Sequence, residues 1–393
     1  MRPVDKLFGD SRIATTFRSW NQIGSKNIGT LVLHMFGVKT LRPLAWSIVP
    51  DLKVGAMLLL AIALVSTSSF SQLLRSTSKV GTTAAQFLKI GVGARALGMG
   101  AAQTAMMGDI SAIYWNPAAL SRLEVNSELT FNHANWLADI DYDFAAGIMP
   151  IGDLGTFGLS IISLRVPEDL VRTVDFPEGD GRRWDANSLA IGVSFAKNLT
   201  ERFSIGFNVK YIREAIWSTA ANGFALDVGT LYISEIKGLT LGASISNFGT
   251  KMQLSGRDLY FNNDPNGSIG SGPNNVPSEY RTEAYDLPLT FRIGVAMDVV
   301  KTEDFRTTAA VDATHPNDNV EYVNSGLELA WREIFFGRVG YKSLFLRDSE
   351  QGLTWGLGVH YGIVNVATIK LDYGFADYGR LKDVQYFSLG IRL

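Results

Sequence analysis

Residues 287–299 read Leu-Pro-Leu-Thr-Phe-Arg-Ile-Gly-Val-Ala-Met-Asp-Val. From Leu287 every second residue is apolar, through Leu289, Phe291, Ile293, Val295, Met297 and Val299, while Thr290, Arg292, Gly294, Ala296 and Asp298 fill the gaps. Successive side chains of a strand point to opposite faces, so one face of this stretch suits hydrocarbon and the other does not. Residues 202–214 repeat the pattern, with Phe203, Ile205, Phe207, Val209 and Tyr211 set against Ser204, Gly206, Asn208 and Lys210. So do Leu353, Trp355, Leu357, Val359 and Tyr361 against Thr354, Gly356, Gly358 and His360. The chain ends inside such a segment, with Phe387, Leu389, Ile391 and Leu393 alternating with Ser388, Gly390 and Arg392. About fourteen segments of this kind run from near Val125 to Leu393. Apolar-out and polar-in alternation at this scale predicts an all-β transmembrane barrel of about 14 antiparallel strands in an outer membrane.

A soluble antiparallel sandwich also alternates, because one face of each sheet is solvated. The spacing of the connections argues for the barrel. Tight turns are expected at 151–154, 197–201, 234–237, 301–304, 332–333 and 362–365, with longer polar links between them, notably 166–183 and 250–286. Short turns on the periplasmic side and longer loops outside are the asymmetry of bacterial barrels, and an even strand count puts both chain ends on the short-turn side.

Composition narrows the function classes. A formal net charge of -2 over 393 residues, with no Lys/Arg run, argues against a nucleic-acid partner. Cysteine is absent, which removes disulfides, thiolate metal sites and Cys nucleophiles. No phosphate-cradling glycine loop, metal-ligand spacing or heptad repeat stands out, so no cofactor or metal is expected. The four His are His34, His133, His315 and His360. With so few bases a nucleophile-base pair has little to draw on, and the chain reads as a non-enzyme. His133 and His360 are expected to face the barrel interior or its rim, and His315 an outer loop before Pro316. Trp136, Trp184, Trp217, Trp331 and Trp355 fall near strand ends or on apolar faces, as interfacial girdles require.

Ahead of the strands, Met57 to Val65 form a short apolar core after Lys53, and Ser66 to Gln72 supply small residues for cleavage, best placed between Ser71 and Gln72. Residues 53–71 thus read as a signal peptide, too short in its apolar run for a spanning helix. Residues 1–52 read as an over-called extension, with the true start nearer Met35 or just before Lys53. In 84–122 the period changes: Gln86-Phe87-Leu88-Lys89-Ile90 is followed by Gly91, Gly93, Gly98 and Gly100, and Ala-rich pieces lie on either side of Gly108-Asp109. Such pieces form short helices broken by glycine, with Pro117 favouring a turn or the first position of a helix and Asn116 pushed to an extended conformation. A unit this small cannot bury its own apolar residues, so 84–122 is expected to lie as a plug inside the 123–393 barrel, with 72–122 as the N-terminal segment and hatch.

The string "QFLKIGVGARALGMGAAQTA" followed by "DISAIYWNPAAL" resembles the hatch of the PorV/PorQ family, a branch of the FadL-like outer-membrane proteins, and Asn116-Pro117-Ala118 resembles the triplet in the hatch of FadL-type transporters. The resemblance covers roughly Gln72 to Leu393. It implies a fourteen-strand barrel closed by a hatch whose motif residues are Gly91, Gly93, Arg95, Gly98, Gly100, Asp109, Asn116, Pro117 and Ala118. It also implies a role in the type IX secretion system, with secretion-system subunits and secreted cargo proteins as partners. The outer loops are the candidate partner-binding elements, through Glu168, Asp169, Arg172, Asp175, Arg182 and Arg183 in the first long link and Arg257 and Asp258 in the second. The competing reading is a FadL-type channel for hydrophobic small molecules, which needs an apolar pocket near the loops. Ionisable residues expected inside the barrel are Asp141, Asp143, Lys210, Glu214, Asp227, Arg292, Asp298, Asp312, Arg338, Lys342 and Asp372. Enclosed charges must be paired, so they are expected to bridge one another or to reach Arg95 and Asp109 of the plug.

Overall fold

The computed structural model describes residues 79–236, 238–264, 275–346, 349–364 and 366–393. The extension 1–52, the signal peptide 53–71, the cleavage point and His34 lie outside the described residues.

Fourteen antiparallel strands close into a barrel. They are β1 (Glu128–Trp136), β2 (Ile140–Pro150), β3 (Thr156–Leu170), β4 (Arg183–Asn198), β5 (Phe203–Ile216), β6 (Thr219–Ile233) and β7 (Leu239–Gly249), followed by β8 (Thr290–Lys301), β9 (Phe305–Pro316), β10 (Tyr322–Trp331), β11 (Phe335–Leu344), β12 (Leu353–Ile363), β13 (Ala367–Asp377) and β14 (Asp383–Arg392). Each pairs with its neighbours in sequence, and β1 pairs with β14 from Glu128↔Arg392 to Asn135↔Gln385, which leaves no free edge. The alternation read from the sequence holds well on β5, where Ser204, Gly206, Asn208 and Lys210 are buried and Phe207 and Val209 exposed, and on β12, where Leu353 to Tyr361 are exposed at every second position. Leu287 departs from it: it precedes β8 and is buried in the core.

All six expected tight turns join strands at one end, the turn end, where Leu393 also bonds to Ser127 and Asn126. The opposite, loop end carries two long connections, 171–182 and 250–289. The first is shorter than expected because β3 runs on to Leu170 past a bulge between Val166 and Asp169. The remaining loop-end connections are brief, among them 137–139 and 217–218. The asymmetry therefore rests on two loops and not on every outer connection.

Four residues on β1 and β2 face the other way from expectation. Their inward residues include Tyr142, Phe144, Ala146 and Ile148, so Asp141, Asp143 and His133 point outward instead of into the lumen. Trp136 turns inward, packing on Tyr142, Tyr378 and Tyr386 instead of joining an outer girdle. The reason lies inside: this part of the wall faces an apolar filling that includes Phe87, Leu88, Ile113 and Trp115, so its inner face is chosen by a protein core and not by water.

Candidate functional site

The filling is residues 84–123, which the barrel encloses. Short helical pieces occur at Gln86–Lys89, Ala94–Gly98, Ala112–Trp115 and Pro117–Arg122. Asn116 is extended at φ -157° and ψ 98°, and its side chain accepts from Ala118 N as Pro117 opens the next turn. Its amide also donates to Thr104 O at 2.7 Å and to Thr230 O of β6 at 2.9 Å, tying two parts of the segment to the wall.

The wall meets the segment through glycines. Each of β5, β6, β7, β8, β10, β11, β12 and β13 presents one, namely Gly206, Gly229, Gly242, Gly294, Gly326, Gly340, Gly356 and Gly374. A methyl group on any of them would crowd the segment: on Gly340 it would sit 2.7 Å from Gly100 Cα, on Gly326 2.8 Å from Met99 C, and on Gly374 2.8 Å from Ala94 O. Along the segment the wall partners step round the barrel in order, from Ala94 against β13, Gly98 against β12 and Gly100 against β11 to Thr104 against β7 and β8, Asn116 against β6 and Pro117 against β5. Segment backbone lies on wall backbone, which only glycine allows. Gly100 itself has a φ of +65°, a conformation that disfavours side chains. Gly91 leaves room for Leu97 and Trp115, and Gly93, at φ +87°, for Ser111.

Charge fixes what shape positions. Glu328 of β10 is fully buried and accepts from three arginines: Arg95 of the segment (2.8 and 2.9 Å), Arg338 of β11 (2.8 Å) and Arg306 of β9 (3.1 Å). Arg338 continues to Asp372 at 2.5 Å, Asp372 to His360 at 3.4 Å, and Arg306 to Glu333 at 2.7 Å. Asp109 caps Ser111 N at 2.7 Å and lies 3.9 Å from Arg95. Asp312 takes both Gln103 N and Thr104 N at 2.8 Å, Lys210 pairs with Asp227 at 2.8 Å, and Glu128 takes Lys370 and Arg392. Of the ionisable residues expected to pair in the lumen, Lys210 with Asp227 and Arg338 with Asp372 do so, whereas Glu214 and Asp312 accept from segment backbone, Asp298 accepts from Thr308, Arg292 bonds to Ser246 and lies over Tyr114 and Trp115, Lys342 lies over Tyr378, and Asp141 and Asp143 face outward. Glu328, Glu128, Lys370 and Asp318 are additional members.

At the loop end the segment is held by Asp318, in the connection between β9 and β10. It accepts from Lys89 Nζ (2.9 Å), Gln86 Nε2 (3.0 Å) and Thr83 Oγ1 (2.8 Å). Burial pushes its carboxyl up, but the donors from Gln86, Lys89 and Thr83 outweigh that and hold it below its ordinary value. Nearby, Ala84 N donates to Asp286 O and Ala85 N to Glu214. Residues 79–82 are exposed there, with Val80 at 68%. The phenol of Tyr114, buried in the segment, is pushed up to about 12 by that burial and donates to Leu88 O.

At the turn end the lumen widens into a chamber of about 760 Å³, walled by Met106 and Asp109 of the segment and by Lys301, Arg306, Lys370 and Arg392 of the strands. Its lining is mixed, with Met107, Leu123, Ile233, Ala296 and Phe336 beside the charged side chains. The candidate loop residues are largely paired among themselves: Asp169 with Arg172 (2.7 Å), Glu168 with Arg183 (3.8 Å) and Arg257 with Asp258 (3.8 Å). The two long loops meet over the β5–β6 turn, where Arg182 covers Trp217 at 5.4 Å and Ser218 bonds to Asp258. Asp175 is exposed in the first loop.

The sequence matches the family described as type IX secretion system protein PorV over residues 74–315, more than half of the chain. No curated protein matches it in sequence. Among solved structures it is similar to a Pseudomonas aeruginosa FadL homologue (TM-score 0.49, 13% identity, 81% of this chain and 99% of that one). It is also similar to the Ralstonia pickettii toluene transporter TbuX (TM-score 0.47, 11% identity, 77% and 97%) and to the Pseudomonas putida toluene transporter TodX (TM-score 0.47, 13% identity, 77% and 97%).

Proposed function

We infer that this chain, which belongs to the family of the type IX secretion system protein PorV, is an outer-membrane barrel that binds secreted cargo and secretion-system subunits and serves as their scaffold or shuttle. The observation that carries the reading is the lumen: backbone-on-backbone contact at a belt of wall glycines and the Glu328 arginine cluster make the segment part of the barrel. A barrel filled in this way is suited to presenting surfaces. The two long loops, brought together over Trp217, form the outward surface to which a protein partner would bind. A conduit for hydrophobic small molecules would call for an apolar pocket near the loops, whereas the chamber here lies at the turn end and sets Lys301, Arg306, Lys370 and Arg392 among its apolar residues.

The test is capture of the tagged mature protein from its own membranes, followed by identification of co-purifying proteins. Secretion-system subunits, or cargo bearing the type IX C-terminal signal domain, are expected. Their reproducible absence, together with impaired uptake of a labelled hydrophobic compound in the deletion strain, would replace this reading with the transporter.

A further inference from the structure

Two cations inside the lumen lack a carboxylate. Arg292 of β8 and Lys342 of β11 are buried, at 6% and 9% exposure. The other four buried cations among the described residues each meet an acid: Arg95 and Arg338 at Glu328, Lys210 at Asp227 and Lys370 at Glu128. Arg292 instead donates to Ser246 Oγ at 3.1 Å and lies over Tyr114 and Trp115 of the segment, 5.9 and 5.5 Å from the ring centres. Lys342 Nζ lies 5.7 Å from the centre of the Tyr378 ring and, among the described residues, has neither an ion pair nor a hydrogen bond. The charge that acts on it is Arg292, a second cation.

The wall around them is also short of partners. Thr314 of β9 stands opposite Arg292, and Tyr322 of β10 opposite Thr314, whose hydroxyl is buried without a hydrogen bond. On β11 two residues, Lys342 and Ser343, oppose Asn324, and Ser343, at φ +59°, donates its N–H to Asn324 Oδ1 at 2.9 Å. Such a bulge fixes the direction in which Lys342 enters the lumen. No carboxylate nearby supplies the missing charge: Asp312 gives Oδ2 to the amides of Gln103 and Thr104, Asp318 takes Lys89, and neither forms an ion pair with Arg292 or Lys342. A ring face attracts a cation only weakly beside the cost of taking that cation out of water, and a second like charge in the same enclosure adds to the cost.

We infer that Arg292 and Lys342 together hold a small inorganic anion, of the size and charge of chloride, between the segment and the wall of β8 to β11. The donors suit it, since a guanidinium, an ammonium and the Thr314 hydroxyl can all point at one anion. Enclosure sets its size: Arg292, Lys342, Tyr114, Trp115 and Tyr378 are all buried, which leaves no open mouth for the tail of an organic acid. Bound there, the anion ties the Ala112–Trp115 turn of the segment, through Arg292, to β11 on the far side of two strands. The inference is independent of which partner the loops bind.

The test uses the protein purified from outer membranes in detergent, with chloride replacing the much larger gluconate at constant ionic strength. The urea midpoint of the wild type is expected to rise along a saturating curve, as for a ligand that binds only the folded state, whereas general salt effects shift it without saturation. Lys342→Met keeps the apolar stem and removes the charge, and is expected to lose the saturating rise while retaining the heat-modifiable mobility of a folded barrel. Lys301→Met, at the exposed turn end of β8, is expected to keep the full response. Should Lys342→Met not fold, wild-type crystals grown in bromide decide, with an anomalous signal expected beside both Lys342 Nζ and Arg292. A wild-type midpoint with no saturating response would overturn the assignment and leave Lys342 a neutral amine. An equal saturating rise in folded Lys342→Met, or no bromide signal between the two side chains, would overturn it as well.

Discussion

Gly337 and Gly340 lie on the same strand, β11, three residues apart, and should respond to alanine in opposite ways. Neither has a positive φ, so the backbone tolerates a side chain at both. At Gly337 a Cβ meets nothing within 4 Å, because the position faces outward. At Gly340 it would collide with Gly100 N and Met99 C and lie 2.7 Å from Gly100 Cα, well inside ordinary contact. The obstacle is backbone on both sides, so no rotamer relieves it. Gly337→Ala is expected to be neutral or to stabilise by up to about 1 kcal/mol through the unfolded chain. Gly340→Ala is expected to cost about 1–3 kcal/mol, the usual range for overpacking, and to displace the segment around Met99 to Ala101. Urea unfolding of the barrel in detergent micelles, followed by tryptophan fluorescence, would read this as a midpoint lower by about 1 M. Amide exchange at residues 98–102 should quicken in Gly340→Ala alone. If the two variants unfold at the same midpoint with the same exchange, the segment is not seated on the glycine belt and the argument for a filled lumen falls.

Glu328→Gln removes the one carboxylate shared by Arg95, Arg306 and Arg338, and should cost ~3–5 kcal/mol in the same unfolding assay, as expected for breaking a buried pair. A loss below about 0.5 kcal/mol, the level of a surface change, would show that water screens the cluster. The Asp318 carboxyl is held below its ordinary value in the folded state, so the contribution of this latch is complete above the ordinary carboxylate range and is lost as the pH falls through the folded value. Protection of the Ala84 to Lys89 amides, taken relative to their intrinsic exchange rate at each pH, should therefore fall on acidification in the wild type, while Asp318→Asn should be weakly protected at every pH. Because the chain has no cysteine, Lys79→Cys provides a single thiol at the loop end, which by the rule for bacterial barrels is the outside. A membrane-impermeant maleimide should label it on intact cells, and labelling only after permeabilisation would invert the orientation.

The strands were legible where lipid lies on one side and polar groups on the other, as on β5, β12 and β14. There the alternation depends on a local contrast that periodicity can register. On β2 the contrast disappears, because Tyr142, Phe144 and Ile148 face a lumen filled with protein. Apolar side chains are then wanted inside, and Asp141 and Asp143 are assigned to the wrong face by a rule that equates apolar with outside. The missed lumen residues carried a readable signal: Glu328 between Leu327 and Leu329, and Lys370 between Ile369 and Leu371, are polar rungs in apolar ladders. Asp318 carried none, since it sits in a connection with no period and gains its meaning only from Thr83, Gln86 and Lys89, far away in sequence. The loop charges Asp169, Arg172, Arg257 and Asp258 were legible as surface but not as partners of their near neighbours.

The seam between β1 and β14 imposes an order of events on biogenesis. Glu128 pairs with Arg392, and Leu393 bonds to Ser127, so the sheet cannot close until the last residues of the chain have been delivered. By then the segment must already be in place, since a closed wall whose glycines touch Met99, Gly100, Thr104 and Pro117 leaves no clearance for threading it afterwards. Assembly would thus proceed by wrapping, with the strands folding round the segment and the terminal strand zipping shut last. Closure between residues so far apart in sequence is slow, and a chain missing β14 would remain an open sheet with an unpaired edge on β1.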